Sequence, residues 1–194
     1  MSENRIELAE RHRSTAELFS QKLAHVTDWD APTPVAEWSV RDIVRHLVDW
    51  SRGMFGQVEG LTFGEIPSVD ADPVEAWRKH TEQMQTLMSN AGIEKLNMPE
   101  TMFKGMSVVE ALETYYVPDI FMHTWDLATA TGQASGLDQA TCHQMLEDMK
   151  GSEQMLRESG QFGEQQPVRD DASSEQKLMA FLGRNPYWAP PTAE

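Results

Sequence analysis

What this sequence has little of narrows it before any motif is considered. Its 194 residues include a single cysteine, Cys142. One cysteine closes no intrachain disulfide and builds no cysteine-rich zinc site, so any metal must be held by histidines and carboxylates. A reducing compartment is the natural setting, and the expected location is cytoplasmic. No apolar run is long enough to span a bilayer. The opening stretch, Met1 to Arg13, is polar and charged, with no signal-peptide apolar region. Positive charge is scarce: 16 Lys and Arg face 31 Asp and Glu, for a formal net charge of -15. Such a surface repels phosphate backbones and anionic lipid, so neither nucleic acid nor membrane is an expected partner. An anionic substrate would need a local metal or arginine to override that field. Glycine-rich phosphate loops, a GxSxG elbow, internal repeats and low-complexity tracts are also missing.

What is present reads as helix. Forty per cent of the residues are apolar, and the length suits one domain with a sizeable core. Ile6, Leu8, Ala9, Ala16, Phe19, Leu23 and Val26 share one helical face over residues 4–26. After a loop holding Pro32 and Pro34, Ser39 and Asp42 form a capping-box pattern that opens a second helix, residues 40–58. Trp38, just before that cap, is placed to staple onto Ile43. Asp72-Pro73 starts a third helix that ends near Asn90. Residues 93–106 fit either a short hairpin or a loop. Ser107 and Glu110 open a fourth helix running to Thr131, with Gly132 as its left-handed cap. A fifth spans 138–159, and a short one covers 174–183. The proline-rich tail, Asn185 to Glu194, hugs the surface or frays. The expected fold is all-α: a four-helix bundle over 1–160, with a C-terminal extension over 161–194 packed on it. Monomer and homodimer both fit.

Three polar residues interrupt the apolar stripes. His46 lies three residues after Ile43 and four before Trp50, so it points inward with them. On the fourth helix, Asp119 and His123 sit one turn apart within the stripe Leu112, Tyr116, Ile120, Leu127 and Ala130. A carboxylate buried among apolar groups costs several kcal/mol, roughly, unless it is paired or bound to a metal. Two histidines and one carboxylate around an open position form the ligand set of catalytic zinc sites and of non-haem iron sites. A plain hydrogen-bonded Asp–His pair beside a core histidine is the other reading of this spacing. Pro118 adds a kink that frees a carbonyl and could aim Asp119. His12, His25, His80 and His143 have polar neighbours and are expected in solvent. Cys142 reads as a buried filler, and Met84, Met88, Met145 and Met149 as core.

The stretch Trp38-Ser39-Val40-Arg41-Asp42-Ile43-Val44-Arg45-His46-Leu47-Val48 resembles the first histidine segment of DinB-like metal-binding bundles. The stretch His123-Thr124-Trp125-Asp126-Leu127-Ala128-Thr129-Ala130-Thr131-Gly132 resembles their last. With the ending Phe181-Leu182-Gly183-Arg184, the chain resembles an actinobacterial family related to the metal-binding domain of mycothiol-dependent maleylpyruvate isomerase. The resemblance implies a DinB-like four-helix bundle and one divalent metal on His46, Asp119 and His123. Zinc comes first, with nickel or iron next. Asp119 stands where that isomerase has glutamate, and Gly160 to Glu194 is shorter than its additional C-terminal domain. The implied activity is a metal-dependent transferase or isomerase that activates a small thiol, mycothiol or another, against an electrophile. Asp126 would partner a ligand or an arginine such as Arg45, or else lie in solvent, and Trp50 and Trp125 would wall the cavity. The alternatives are a non-catalytic metal- or ligand-binding bundle, stress-related, and a structural bundle with an empty site.

Overall fold

The computed structural model describes residues 2–102 and 105–191. Over these residues the backbone is helical, with only two isolated antiparallel bridges and no longer strand. The all-α expectation holds. The long elements are α1 (Ser2–Leu23), α2 (Val40–Phe55) and α3 (Pro73–Ser89). A rod then begins with α4 (Val108–Ala111), passes through a π-helical turn (Leu112–Tyr116) and continues as α5 (Val117–Ala130). Next come α6 (Gln139–Lys150), α7 (Glu153–Glu158) and α8 (Ser174–Phe181).

The boundaries follow local chemistry. Ser39 and Asp42 form a reciprocal capping box at α2, and Ser107 and Glu110 another at α4. Asp72 caps α3, accepting from the Glu75 N–H with Pro73 behind it. Gly132, at φ 67°, ends α5 with the Gln133 N–H turned back to the Ala128 carbonyl. The expected fifth helix is broken into α6 and α7 at Gly151-Ser152, where the Ser152 N–H bonds to the Met149 carbonyl. Residues 91–95 make a 3-10 turn. Beyond it, Asn97 pairs with Ser107, and the Met98 N–H reaches the Met106 carbonyl at 2.7 Å. The segment 93–106 is thus a 3-10 turn and a loop closed by one isolated bridge, with no paired strands among its described residues, and Phe103 and Lys104 lie outside the described set. The tail lies along the surface: the Arg169 N–H donates to the Tyr187 hydroxyl, and Pro186 is buried. Residues 192–194 are outside the described set.

Pro118 does not break the rod. A proline two residues into a helix lacks the N–H that would bond back one turn, and its ring crowds the carbonyl there. The π turn absorbs the mismatch, with the Val117 N–H bonding back five residues to the Leu112 carbonyl. The extra residue sits one turn before Asp119.

Helices α1, α3, α2 and α5 touch in that ring order and enclose the main core, built on Phe19, Ile43, Leu47, Trp77, Met84 and Tyr116. A second apolar cluster lies on the other side of α5. There Phe121, Met122 and Trp125 pack with Cys142 and Leu146 of α6 and with Leu178, Met179 and Phe181 of α8. Consequently α5 is buried nearly all round, and polar residues on it face protein whichever way they point. Among the described residues no helix is long and apolar enough to cross a membrane.

Candidate metal centre

Helix α2 carries His46 on its inward side, and α5 faces it with Asp119 and His123. All three meet. One ligand atom from each lies within 4.8 Å of the other two. The His46 Nε2 is 3.1 Å from Asp119 Oδ2, and the His123 Nε2 is 3.4 Å from Asp119 Oδ1. Donors around a tetrahedral ion at about 2.1 Å stand about 3.4 Å from one another. The two imidazoles approach different oxygens of the carboxylate at spacings close to that value.

Each member is held by a second contact. Trp50 donates its indole N–H to Asp119 Oδ2 at 2.8 Å. The Nδ1 of His123 lies 2.9 Å from Asp126 Oδ2, which leaves Nε2 turned to Asp119. Asp126 is 0% exposed. Its charge is met by Arg184, whose Nη2 is 3.1 Å from Oδ2 and whose Nε is 3.4 Å from Oδ1. Trp38 covers both imidazoles, its ring centroid 4.8 Å from His46 and 5.6 Å from His123.

Burial by itself would raise the pKa of both buried aspartates. For Asp119, the neighbouring His123 and His46 and the Trp50 N–H outweigh burial and hold the carboxyl below its ordinary value. For Asp126, Arg184 and the His123 hydrogen bond do the same. Both carboxylates are therefore anionic at neutral pH, one aimed at the imidazole nitrogens and the other fixing a ring from behind.

The site opens on a groove of about 550 Å³ lined by Glu37, Trp38, Asp42, Arg45, His46, Asp49 and Trp50. His46 and Asp119 keep some contact with solvent, at 26% and 17% of their side chains, whereas His123 is nearly closed off at 4%. Arg45, the one arginine or lysine among the described residues that line the groove, is bridged by Asp42 and Asp70.

Several readings from sequence need correcting. His12 and His80 are not in solvent: they are 1% and 0% exposed. Their polar sequence neighbours occupy the opposite helix face, while Leu8 and Ala16 flank His12, and Ala76 and Met84 flank His80, at one-turn spacing. His12 Nδ1 bonds to Gln85 Oε1 at 2.7 Å, and His80 Nε2 meets the Tyr116 hydroxyl at 2.9 Å. His25 and His143 are exposed, as expected. Asp126 hydrogen-bonds to His123, one of the three expected ligands, and its arginine is Arg184 rather than Arg45. Trp125 lies in the second cluster and not against the groove; Trp38 takes that place. Its position before the capping box suggested only a staple; because Trp38 lies outside α2, helical spacing carries no signal that it covers His46.

The fold and site define an all-helical bundle with a paired-histidine, single-carboxylate centre between two of its helices. The model of the mycothiol maleylpyruvate isomerase N-terminal domain matches residues 9–128, and the chain belongs to that family. Two uncharacterized proteins of Mycobacterium tuberculosis, from strains CDC 1551 / Oshkosh and ATCC 25618 / H37Rv, are each 25% identical to it over 189 residues. Those alignments cover 89% of this chain and 95% of theirs. No solved structure matches the chain significantly.

Proposed function

We propose that this chain binds one divalent metal, zinc first, through His46, Asp119 and His123, and activates a small thiol there as a transferase or isomerase. The observation that carries the reading is the convergence of three donor atoms within 4.8 Å at the edge of an open groove. The family's description adds the thiol, since it names mycothiol. A bound divalent cation supplies the charge that stabilises a thiolate at neutral pH.

The chain's own residues do the rest. Asp126 keeps the His123 ring in one orientation, and Trp50 fixes the Asp119 carboxylate, so the donor set is organised before anything binds. Trp38 and Trp50 give the groove two apolar walls beside His46. The thiol proton leaves through the open side to water. The thiolate lone pair then forms a C–S bond while the π pair of an activated double bond shifts onto its electron-withdrawing group, which water can protonate, or it displaces a leaving group that departs with its bonding pair. In an isomerisation the pair held on the electron-withdrawing group re-forms the double bond after rotation about it, the C–S bond breaks, and the thiolate is regained.

Groove charge bears on the electrophile. Glu37, Asp42 and Asp49 line it, and Arg45 is already neutralised by its two carboxylate partners. A neutral or cationic electrophile is favoured over a dicarboxylate such as maleylpyruvate, which like charges would repel.

Elemental analysis of protein purified without chelator, followed by assays of mycothiol and other thiols with neutral and dianionic electrophiles, tests the proposal. Zinc near one equivalent is expected, with acceleration greatest for the neutral electrophile. Protein free of metal, or no acceleration with any thiol, would overturn it.

A further inference from the structure

The C-terminal segment reaches into the centre from outside the part of the chain that the family model matches. Helix α8 ends at Phe181 and is closed by a turn in which the Gly183 N–H bonds to the Ala180 carbonyl and the Arg184 N–H to the Met179 carbonyl. Gly183 has φ 90°, and a Cβ there would fall 2.6 Å from the Gly163 Cα, so this crossing of two backbones admits only glycine. Arg157 clamps the same crossing, donating to the Phe181 and Gly163 carbonyls. The turn sends the Arg184 side chain back across α5 to grip both oxygens of Asp126, 58 residues earlier. The Arg184 side chain is 12% exposed and Asp126 not at all.

We propose that Arg184 is a positioning residue for the metal centre: by holding Asp126, it locks the His123 ring with Nε2 turned to Asp119. Without the arginine, the buried Asp126 charge would keep only its His123 hydrogen bond, and a carboxylate left so poorly compensated is costly enough to swing away and release the ring. Asp126 and Arg184 touch no ligand atom other than through His123 Nδ1. The inference rests on the metal-binding reading, and the test separates the two.

Zinc affinity is measured by chelator competition for the natural chain, Arg184→Met, Arg184→Lys and the double variant Asp126→Asn with Arg184→Met. Loss of an outer partner of a ligating histidine costs about 10–100-fold in metal affinity. That loss is expected for Arg184→Met, with part of it restored in Arg184→Lys. The double variant removes both charges, so it folds without a stranded carboxylate, and it should remain weakened. Long-range proton–nitrogen NMR on the metal-free proteins reads the ring directly. A slowly exchanging His123 Nδ1–H is expected in the natural chain and a rapidly exchanging one in Arg184→Met. Unchanged zinc affinity in the methionine and double variants, or an unchanged ring signal, overturns the role of Arg184. A natural chain that binds no zinc but shows an Arg184-dependent ring overturns the metal reading alone.

Discussion

Two polar clusters lie inside one helical bundle, and they resolve the cost of burying histidine in different ways. In the inner layer, the hydrogen-bond partners of His12 of α1 and His80 of α3 among the described residues are neutral groups: Gln85, Thr81, Tyr116 and Ser51. At the centre, His46 and His123 meet two carboxylates, and their Nε2 atoms converge on Asp119. The inner imidazoles are held neutral. Burial, helped by Arg13, takes His12 down to about 4, and burial with Arg52 and His12 takes His80 to about 3. Inner Tyr116 is likewise pushed well above its usual value by burial and by Asp119. Burial of a histidine does not make a site; what its nitrogens face does. One residue remains unresolved within the inner layer, since His80 Nδ1 is buried with no hydrogen-bond partner.

The contrast can be broken most forcefully at the ligands. Replacing His46 or His123 with alanine should abolish stoichiometric zinc, a loss beyond the roughly 100-fold figure for an outer partner. His80→Ala should leave zinc at one equivalent. Elemental analysis of the three variants decides this, and equal metal content in all of them would erase the distinction.

Acid separates the clusters next. For His12 and His80 the folded pKa lies below the unfolded value of about 6.5, so below that pH the unfolded chain binds more protons. Their share of stability is whole above pH 6.5 and is lost as pH falls toward about 4 and about 3. Between pH 7 and 5 the two together should cost about 3–4 kcal/mol, on the order of 10 °C in melting temperature. Calorimetry with chelator present measures it. His12→Asn should flatten the profile, and a variant melting as steeply as the natural chain would contradict the assignment. Asp119 and Asp126, also held below their ordinary value, act in the same sense lower on the scale: their stabilisation is present above about pH 4 and is lost as pH falls below it.

A smaller effect is expected from His80→Ala on stability, about 2–4 kcal/mol, through a cavity and an unpaired Tyr116 hydroxyl. Denaturant unfolding of the metal-free protein reads it. Trp50→Phe sharpens the comparison from the other side. It removes one hydrogen bond to the Asp119 carboxylate and should weaken zinc about threefold to tenfold. The fold should stay unchanged by circular dichroism, and wild-type affinity would show that Trp50 serves only as a wall.

How far the sequence could be read follows from the range of each cause. Capping boxes at Ser39 and Ser107, the Asp72-Pro73 start and the Gly132 stop act within four residues, so helix ends were legible. The inward pointing of His46, Asp119 and His123 was legible too, because period and stripe place a side chain without knowledge of its neighbours. The same rule applied to His12 and His80 would have buried them; their polar sequence neighbours hid a signal that was present. Pro118 announced a disturbance, but not that the backbone would take it up as a π turn rather than a kink.

Sequence alone determined the helices, the bundle class and the three inward polar residues, since each is set by local sterics, capping and apolar periodicity. Only the tertiary structure decided what those residues meet. Trp38 over the imidazoles, Trp50 on Asp119, and Arg184 reaching Asp126 across 58 positions are contacts between distant segments. Packing of whole helices creates such contacts, and no pattern within one segment encodes its partner.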